Sequence, residues 1–289
     1  MDELSNIVVA LLSPDNPVRN AAEARYNDLL AAHLPAVARG LLNLAARAPD
    51  ETHRALSAVL LKRAISPHTG AWQRIDGPTQ TAIRGELLAL LASEQRPHMV
   101  RKLCYAAATL TGANDGHTGE WPELVQFAIG AASNPADALR CEAGHLLLGK
   151  ICEHNETLLT PHVAPLQPLL TSGMAAGMAA AVQLEAVRAA CSLVISLPDG
   201  SPPELAAQQA LCEAVLPPAL QAIAAALADD ELHARELLQA LVEAATHSAK
   251  AFGGQLAACC DAMLQVAGYE QLEPSTRTTA IELLVTLCE

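Results

Sequence analysis

At 289 residues, with a hydrophobic content of 51% but only 2% aromatics, the chain has to build its core from aliphatic side chains and alanine. Alanine and leucine lead the helix-propensity scale and strand-favouring residues are comparatively sparse, which predicts an all-α chain. A formal charge of -13 excludes a nucleic-acid backbone as partner, because phosphate binding needs clustered Lys and Arg, and it favours basic proteins instead.

The N-terminal MDELSNIVVALL carries acidic residues where a signal peptide needs basic ones. Within it Leu4, Ile7, Val8, Leu11 and Leu12 fall on one helix face. A Ser-Pro-Asp-Asn turn follows, with Asn16 as candidate N-cap and Pro17 at the first helical position. A second face then runs through Val18, Ala21, Ala22, Tyr26, Leu29 and Leu30, so the chain opens with a helical hairpin.

The turn-then-arginine signature of that hairpin recurs at Arg19, Arg54, Arg101, Arg140, Arg188, Arg235 and Arg277. These span 258 residues in six intervals, an average of 43, which is the period of a HEAT or armadillo array. The pattern predicts a right-handed α-solenoid of about seven HEAT-type hairpins, at roughly 2–33, 34–66, 78–113, 122–155, 157–197, 203–249 and 251–289, with an excursion over 66–77. The closing IELLVTLCE carries no cap, so the array is expected to continue past Glu289.

Each arginine starts the second helix of its hairpin, where the helix dipole disfavours a cation. A compensating carboxylate is therefore expected, in the same or the adjacent repeat, from residues such as Asp15, Asp50, Asp137 or Asp230. Arg19, Arg140, Arg188, Arg235 and Arg277 are assigned to this structural ladder, whose role is to fix repeat register.

No catalytic or cofactor motif emerges, and none is expected. The GKI at 149–151 lacks the rest of a phosphate-binding loop, and GxSxG and HExxH are absent. Cys141 and His145 share a helix face, with Cys152 and His154 nearby, but four converging ligands do not follow from that spacing, and buried thiols with a satisfied histidine are expected instead of a metal. The eight cysteines are scattered through apolar segments without a disulfide framework, which suggests reduced thiols in an intracellular chain; adjacent Cys259 and Cys260 point in different directions. The long charge-free run 157–184 is broken by proline and glycine, so no membrane insertion is expected.

The informative cations lie on second helices. Arg54, Ala58 and Lys62 share one stripe with Arg63 beside it, and a face of Val100, Leu103, Cys104, Ala107 and Ala108 leaves Arg101 and Lys102 at its flanks. Two readings stand: a solvated face with local salt bridges, or a docking patch for a partner protein.

The order of motifs resembles the importin-beta superfamily, and most closely its importin five (karyopherin beta-three) branch. LLSPDN followed by AAEARYNDLL resembles the start of the importin N-terminal domain; ALSAVLLKRAI with Trp72, TAIRGELL, VRKLCYAAATL and WPELVQFAIGAASN continue in the family's order, and AIELLVTLCE is similar to the same branch. The resemblance implies an importin N-terminal-like domain over 1–113 and further HEAT repeats over 114–289. It also implies a monomeric nuclear transport receptor that shuttles between cytoplasm and nucleus. Carried over by position, Lys62, Arg63, Arg101 and Lys102, and more weakly Arg54, face the GTP form of the GTPase Ran on the concave side. Outer helices take FG-repeat nucleoporins, and basic cargo binds mainly through repeats beyond this chain and is released when Ran-GTP binds. The alternative is a general HEAT scaffold or regulatory subunit without a GTPase partner.

Overall fold

A computed structural model describes residues 2–67, 70–112 and 119–288. The boundary expected at 113/114 lies outside them. Two compact units, residues 1–124 and 125–289, each form layered helical hairpins, and among the described residues there is no β-strand.

In the first unit α1 (Asp2–Leu11) pairs with α2 (Asn16–Arg47), which is followed by α3 (Glu51–Ala64), α4 (Gly77–Ser93) and α5 (Pro97–Thr109). The turn before α2 places the N-cap one residue earlier than expected, at Asp15, with Pro17 just inside the helix. The 32 residues of α2 are two helices joined at a kink: Pro35 cannot donate to Ala31, and His33 leaves helical geometry at φ -139, ψ 41. The Ala31 carbonyl instead accepts from an Arg74 guanidinium nitrogen at 3.2 Å. The second half of α2 therefore serves as the first helix of the next hairpin, with α3 as its partner.

Aspartates start the next helices. Asp50 accepts from the backbone N–H of Thr52 and His53, and Asp76 from that of Thr79. Hydrogen bonds from the His53 and Thr79 amides hold these two carboxyls below the usual range. The second helices α3 and α5 pack side by side, as do α2 and α4. Leu41, Leu61, Ile83, Leu87, Leu91, Met99 and Leu103 are fully buried between the layers. Within the 66–77 excursion a short 3-10 turn, Trp72–Arg74, drops Trp72 into the interior. The Arg84 guanidinium lies 5.7 Å from the Trp72 ring and 5.4 Å from the Trp121 ring, and Arg84 Nη1 donates to the Glu120 carbonyl. This stack fastens both flanking segments onto α4.

In the second unit α6 (Pro122–Ala132) leads into α7 (Ala138–His154), α8 (Val163–Gly173), α9 (Ala180–Ser196), α10 (Pro202–Asp229), α11 (Glu231–Ser248), α12 (Leu256–Gly268) and α13 (Pro274–Cys288). The second helices α7, α9, α11 and α13 pack each against the next, and α8, α10 and α12 form the other layer. Small residues let them approach closely. A β-carbon at Gly144 would lie 2.3 Å from the backbone nitrogen of Ala132, so α7 can sit this near α6 only as glycine.

Two helices, Asn16–Arg47 and Pro202–Asp229, are long and apolar enough to cross a membrane by length and composition. The first is broken at His33, and each lays part of its surface into its unit's core. The charge-free run 157–184 instead divides between a turn, α8 and the start of α9.

Six of the cysteines are buried and free, and burial pushes the Cys152, Cys212 and Cys259 thiols up to about 12. Cys141 Sγ donates to the Ala132 carbonyl, and His145 Nδ1 lies 2.9 Å from the Cys141 carbonyl and 3.8 Å from Cys141 Sγ. Among the described residues no three His, Cys, Asp or Glu side chains gather as metal ligands. His145 is fully buried, with Nε2 against Gly173 of α8.

Burial holds the His145 imidazole below its usual pKa, so the unfolded chain binds a proton more readily than the folded one. Stability contributed by neutral His145 is present above about pH 6.5 and declines as the pH falls below it, by at most about 1.4 kcal/mol per pH unit. Urea midpoints between about pH 7.5 and 5.5 should fall less steeply for His145→Gln than for the parent chain. Gly144→Ala should cost about 1–3 kcal/mol in the same assay, through overpacking against α6.

Candidate partner-binding surface

Helix α3 buries Arg54, Ser57, Ala58, Leu61 and Ala64 and turns Thr52, Val59 and Arg63 outward, with Lys62 half-buried at the edge. Helix α5 buries Val100, Leu103, Cys104, Ala107 and Ala108, and leaves Arg101, Lys102 and Tyr105 partly exposed. Lys62 Nζ stands 5.4 Å from the centre of the Tyr105 ring, so the outer stripes of the two helices meet. Arg101 lies one turn before Tyr105 on the same stripe. Lys62 and Arg101 therefore belong to one cation-bearing surface, with Arg63 and Lys102 at its flanks.

Arg54 is not part of that surface. It is only 7% exposed; its Nε donates to the Ala45 carbonyl at 2.7 Å and its guanidinium pairs with Glu94. The stripe of Arg54, Ala58 and Lys62 faces inward and emerges only at Lys62, because Ala58 sits at the centre of helix packing.

Glu94 holds more than the arginine. Its Oε1 accepts from the backbone N–H of Gln95 and of Arg96, both at 3.0 Å, at the start of α5, while its other oxygen takes Arg54 from α3. Glu51 adds a looser exposed link between the same helix ends, 2.9 Å from His98 and 3.7 Å from Arg96. The axial register of α3 against α5, and with it the meeting of Lys62 and Tyr105, is set here.

Four further arginines of the repeat signature have partners other than the expected aspartates. Arg19 donates to the Ser13 carbonyl and to Asn16, Arg188 pairs with Glu185 at 3.1 Å, Arg235 donates to the Ser275 hydroxyl forty residues on, and Arg277 Nε donates to the Ala267 carbonyl at 2.9 Å. At Arg140 it is the backbone N–H that meets Asp137. Asp50, Asp137 and Asp230 are engaged as N-caps. A long side chain leaving the start of a second helix reaches the carbonyl end of the antiparallel first helix, where the dipole favours a cation.

The first-helix layers carry hollows that no motif signalled. In the second unit one of about 640 Å³ lies between α10 and α12, lined by Leu220, Ile223, Leu227, Met263, Val266 and Tyr269, and no Lys or Arg lines it. In the first unit a hollow of about 770 Å³ lies between α2 and α4, and one of about 280 Å³ between α1 and α2. Charge is also divided unevenly: twelve Lys and Arg against thirteen Asp and Glu in residues 1–124, but six against eighteen in 125–289.

A protein-family model described as "IPO5-like, TPR repeats" matches residues 95–262. The chain belongs to the importin-beta superfamily. Crystal structures of the karyopherin Kap121p share its all-α HEAT-solenoid fold: one of Kap121p at TM-score 0.81 and 25% identity, and a form bound to RanGTP at 0.80 and 26%, each covering 99% of this chain. A Kap121p structure bound to Pho4p matches at 0.79 and 25% identity over 98%. This importin-superfamily chain spans about a quarter of the length of those proteins, 27%, 26% and 27% respectively.

Because Arg54 and Glu94 are both buried, removing one partner strands the other. Arg54→Met should destabilise the first unit by about 3–5 kcal/mol, and the double variant Arg54→Met/Glu94→Gln should recover part of that loss, read as coupling in a double-mutant cycle of urea midpoints.

Proposed function

We propose that this chain is the Ran-engaging part of a nuclear transport receptor, and that Lys62, Arg63, Arg101 and Lys102 form its contact surface for the GTP form of Ran. The observation that carries the reading is the single cation-bearing surface formed where α3 and α5 meet at Lys62 and Tyr105. The match over 99% of the chain to Kap121p bound to RanGTP supports it. Arg54 acts in this reading as a positioning residue that fixes the register of the two helices.

The α10–α12 hollow is the candidate seat for the apolar side chains of FG-repeat nucleoporins, since most of its lining is apolar, with one tyrosine, and its polar groups are Glu231, Gln265 and Gln271. The acid excess over 125–289 favours basic cargo proteins. Ran-GTP and cargo then oppose one another through a coupling that is reciprocal in binding free energy, which lets the receptor load in the cytoplasm and unload in the nucleus. The arginine signature is structural in this scheme and fixes repeat register, with residues 1–113 as the importin N-terminal-like domain and 114–289 as the repeats that follow.

The test is binding of the chain to Ran loaded with GTP or GDP, by surface plasmon resonance at physiological salt. The GTP form should bind more tightly, and Lys62→Glu with Arg101→Glu should weaken it by about tenfold or more, mainly through the association rate. Equal affinity for the two nucleotide states would sink the proposal.

A further inference from the structure

The two hollows of the first unit are halves of one furrow. Ala36 and Gly40, on the second half of α2, line both, so the hollow against α1 and the hollow against α4 meet across a low saddle. The saddle is low because position 40 has no side chain: a β-carbon at Gly40 would lie 2.6 Å from Leu4 Cδ2, and Leu4 would have to shift. Leu4 and Leu29 on one side, and Leu42 and Leu90 on the other, give the furrow an apolar lining.

Its charged rim is uneven. Glu3 is paired with Arg25, and Glu86 with Arg39 at 2.8 Å. Arg47, exposed on the last turn of α2, gives the α2–α4 hollow one more cation than anion, with Arg39 and Arg47 against Glu86, in a chain whose net charge is -13, while Glu3 of the α1–α2 hollow is met by Arg25 outside the lining. The Arg39–Glu86 pair is about half exposed on both sides, a class of pair that contributes little to stability and exchanges partners readily.

We propose that this furrow binds an extended acidic segment of a partner protein, with two apolar side chains seated in the hollows and carboxylates on Arg39 and Arg47. Crossing α2 takes about 10 Å, so the two anchors are same-face residues at i and i+4 of an extended strand, about 13 Å apart. The two arginines distinguish this site from the α10–α12 hollow, whose charged lining residue is the carboxylate Glu231, and the proposal does not depend on the Ran reading.

The experiment is fluorescence anisotropy of the full 289-residue chain with a fluorescein-labelled probe, Glu-Asp-Leu-Glu-Ser-Asp-Leu-Glu-Asp. Two control probes replace every acid, one with lysine and one with glutamine or asparagine. The acidic probe should bind saturably with a Kd on the order of 10 μM, weakening as salt rises. Arg47→Glu should weaken it about tenfold or more. Ala36→Trp, on an exposed position of α2, should abolish it by filling the saddle; Ala89→Trp, exposed on α4, is the second filling variant. Thermal melts by circular dichroism show that the variants remain folded. Absence of saturable binding, equal binding of the lysine or uncharged probe, or binding undiminished in the folded Arg47 and tryptophan variants overturns the proposal.

Discussion

A guanidinium that leaves the start of one helix and bonds the end of its antiparallel neighbour is the constraint on which much of this architecture depends. At Arg54 and at Arg277 the cation sits on a carbonyl of the preceding helix, nine and ten residues back. Its own helix start would repel it and the neighbour's carbonyl end attracts it, so one side chain offsets two unfavourable terminal fields. Where the arginine is buried, as at Arg54, a second bond to Glu94 makes the arrangement lateral as well, because that carboxylate also accepts from the two backbone amides just before the next second helix. Packing of aliphatic faces permits small slips along the helix axes. A buried ion pair with fixed donors does not, and specifying register is the best-attested use of such pairs.

The surface follows from that constraint. Once α3 and α5 are fixed, Lys62 meets the Tyr105 ring and its stem lies along the boundary of the two helices, so its ammonium is presented with part of its rotamer entropy already lost. The first unit is close to charge-balanced and carries Lys62, Arg101 and Lys102 partly exposed on its second helices, whereas the second is strongly acidic. Each unit thus offers a different chemistry to the proteins it meets.

The repeat period, the helical hairpins and the all-α class were legible because each rests on local regularities: apolar spacing, breakers between helices, and an arginine at a fixed place in each hairpin. The buried face of α5 could be read directly from Val100 to Ala108 for the same reason. The failure at Arg54 is equally physical. One turn of helix separates Arg54 from Ala58 and another separates Ala58 from Lys62, and stripe geometry alone does not say whether a run of positions faces a neighbour; a buried carboxylate forty residues away decided it. The aspartates were misjudged because an Asp before a helix has two uses, ion pairing and N-capping, and the nearer backbone amides prevail. The hollows on first helices carry no motif. They arise from what alanine and glycine leave empty, which is visible only once the helices are placed.

The Trp72–Arg84–Trp121 stack has an optical consequence. The chain contains two tryptophans, and both belong to this one cluster in the first unit. Indole emission is therefore a local gauge of the cation-bearing unit, with the guanidinium between the rings as a built-in modulator of its intensity. The second unit has no indole at all, so an indole introduced there gives each half of the chain its own reporter.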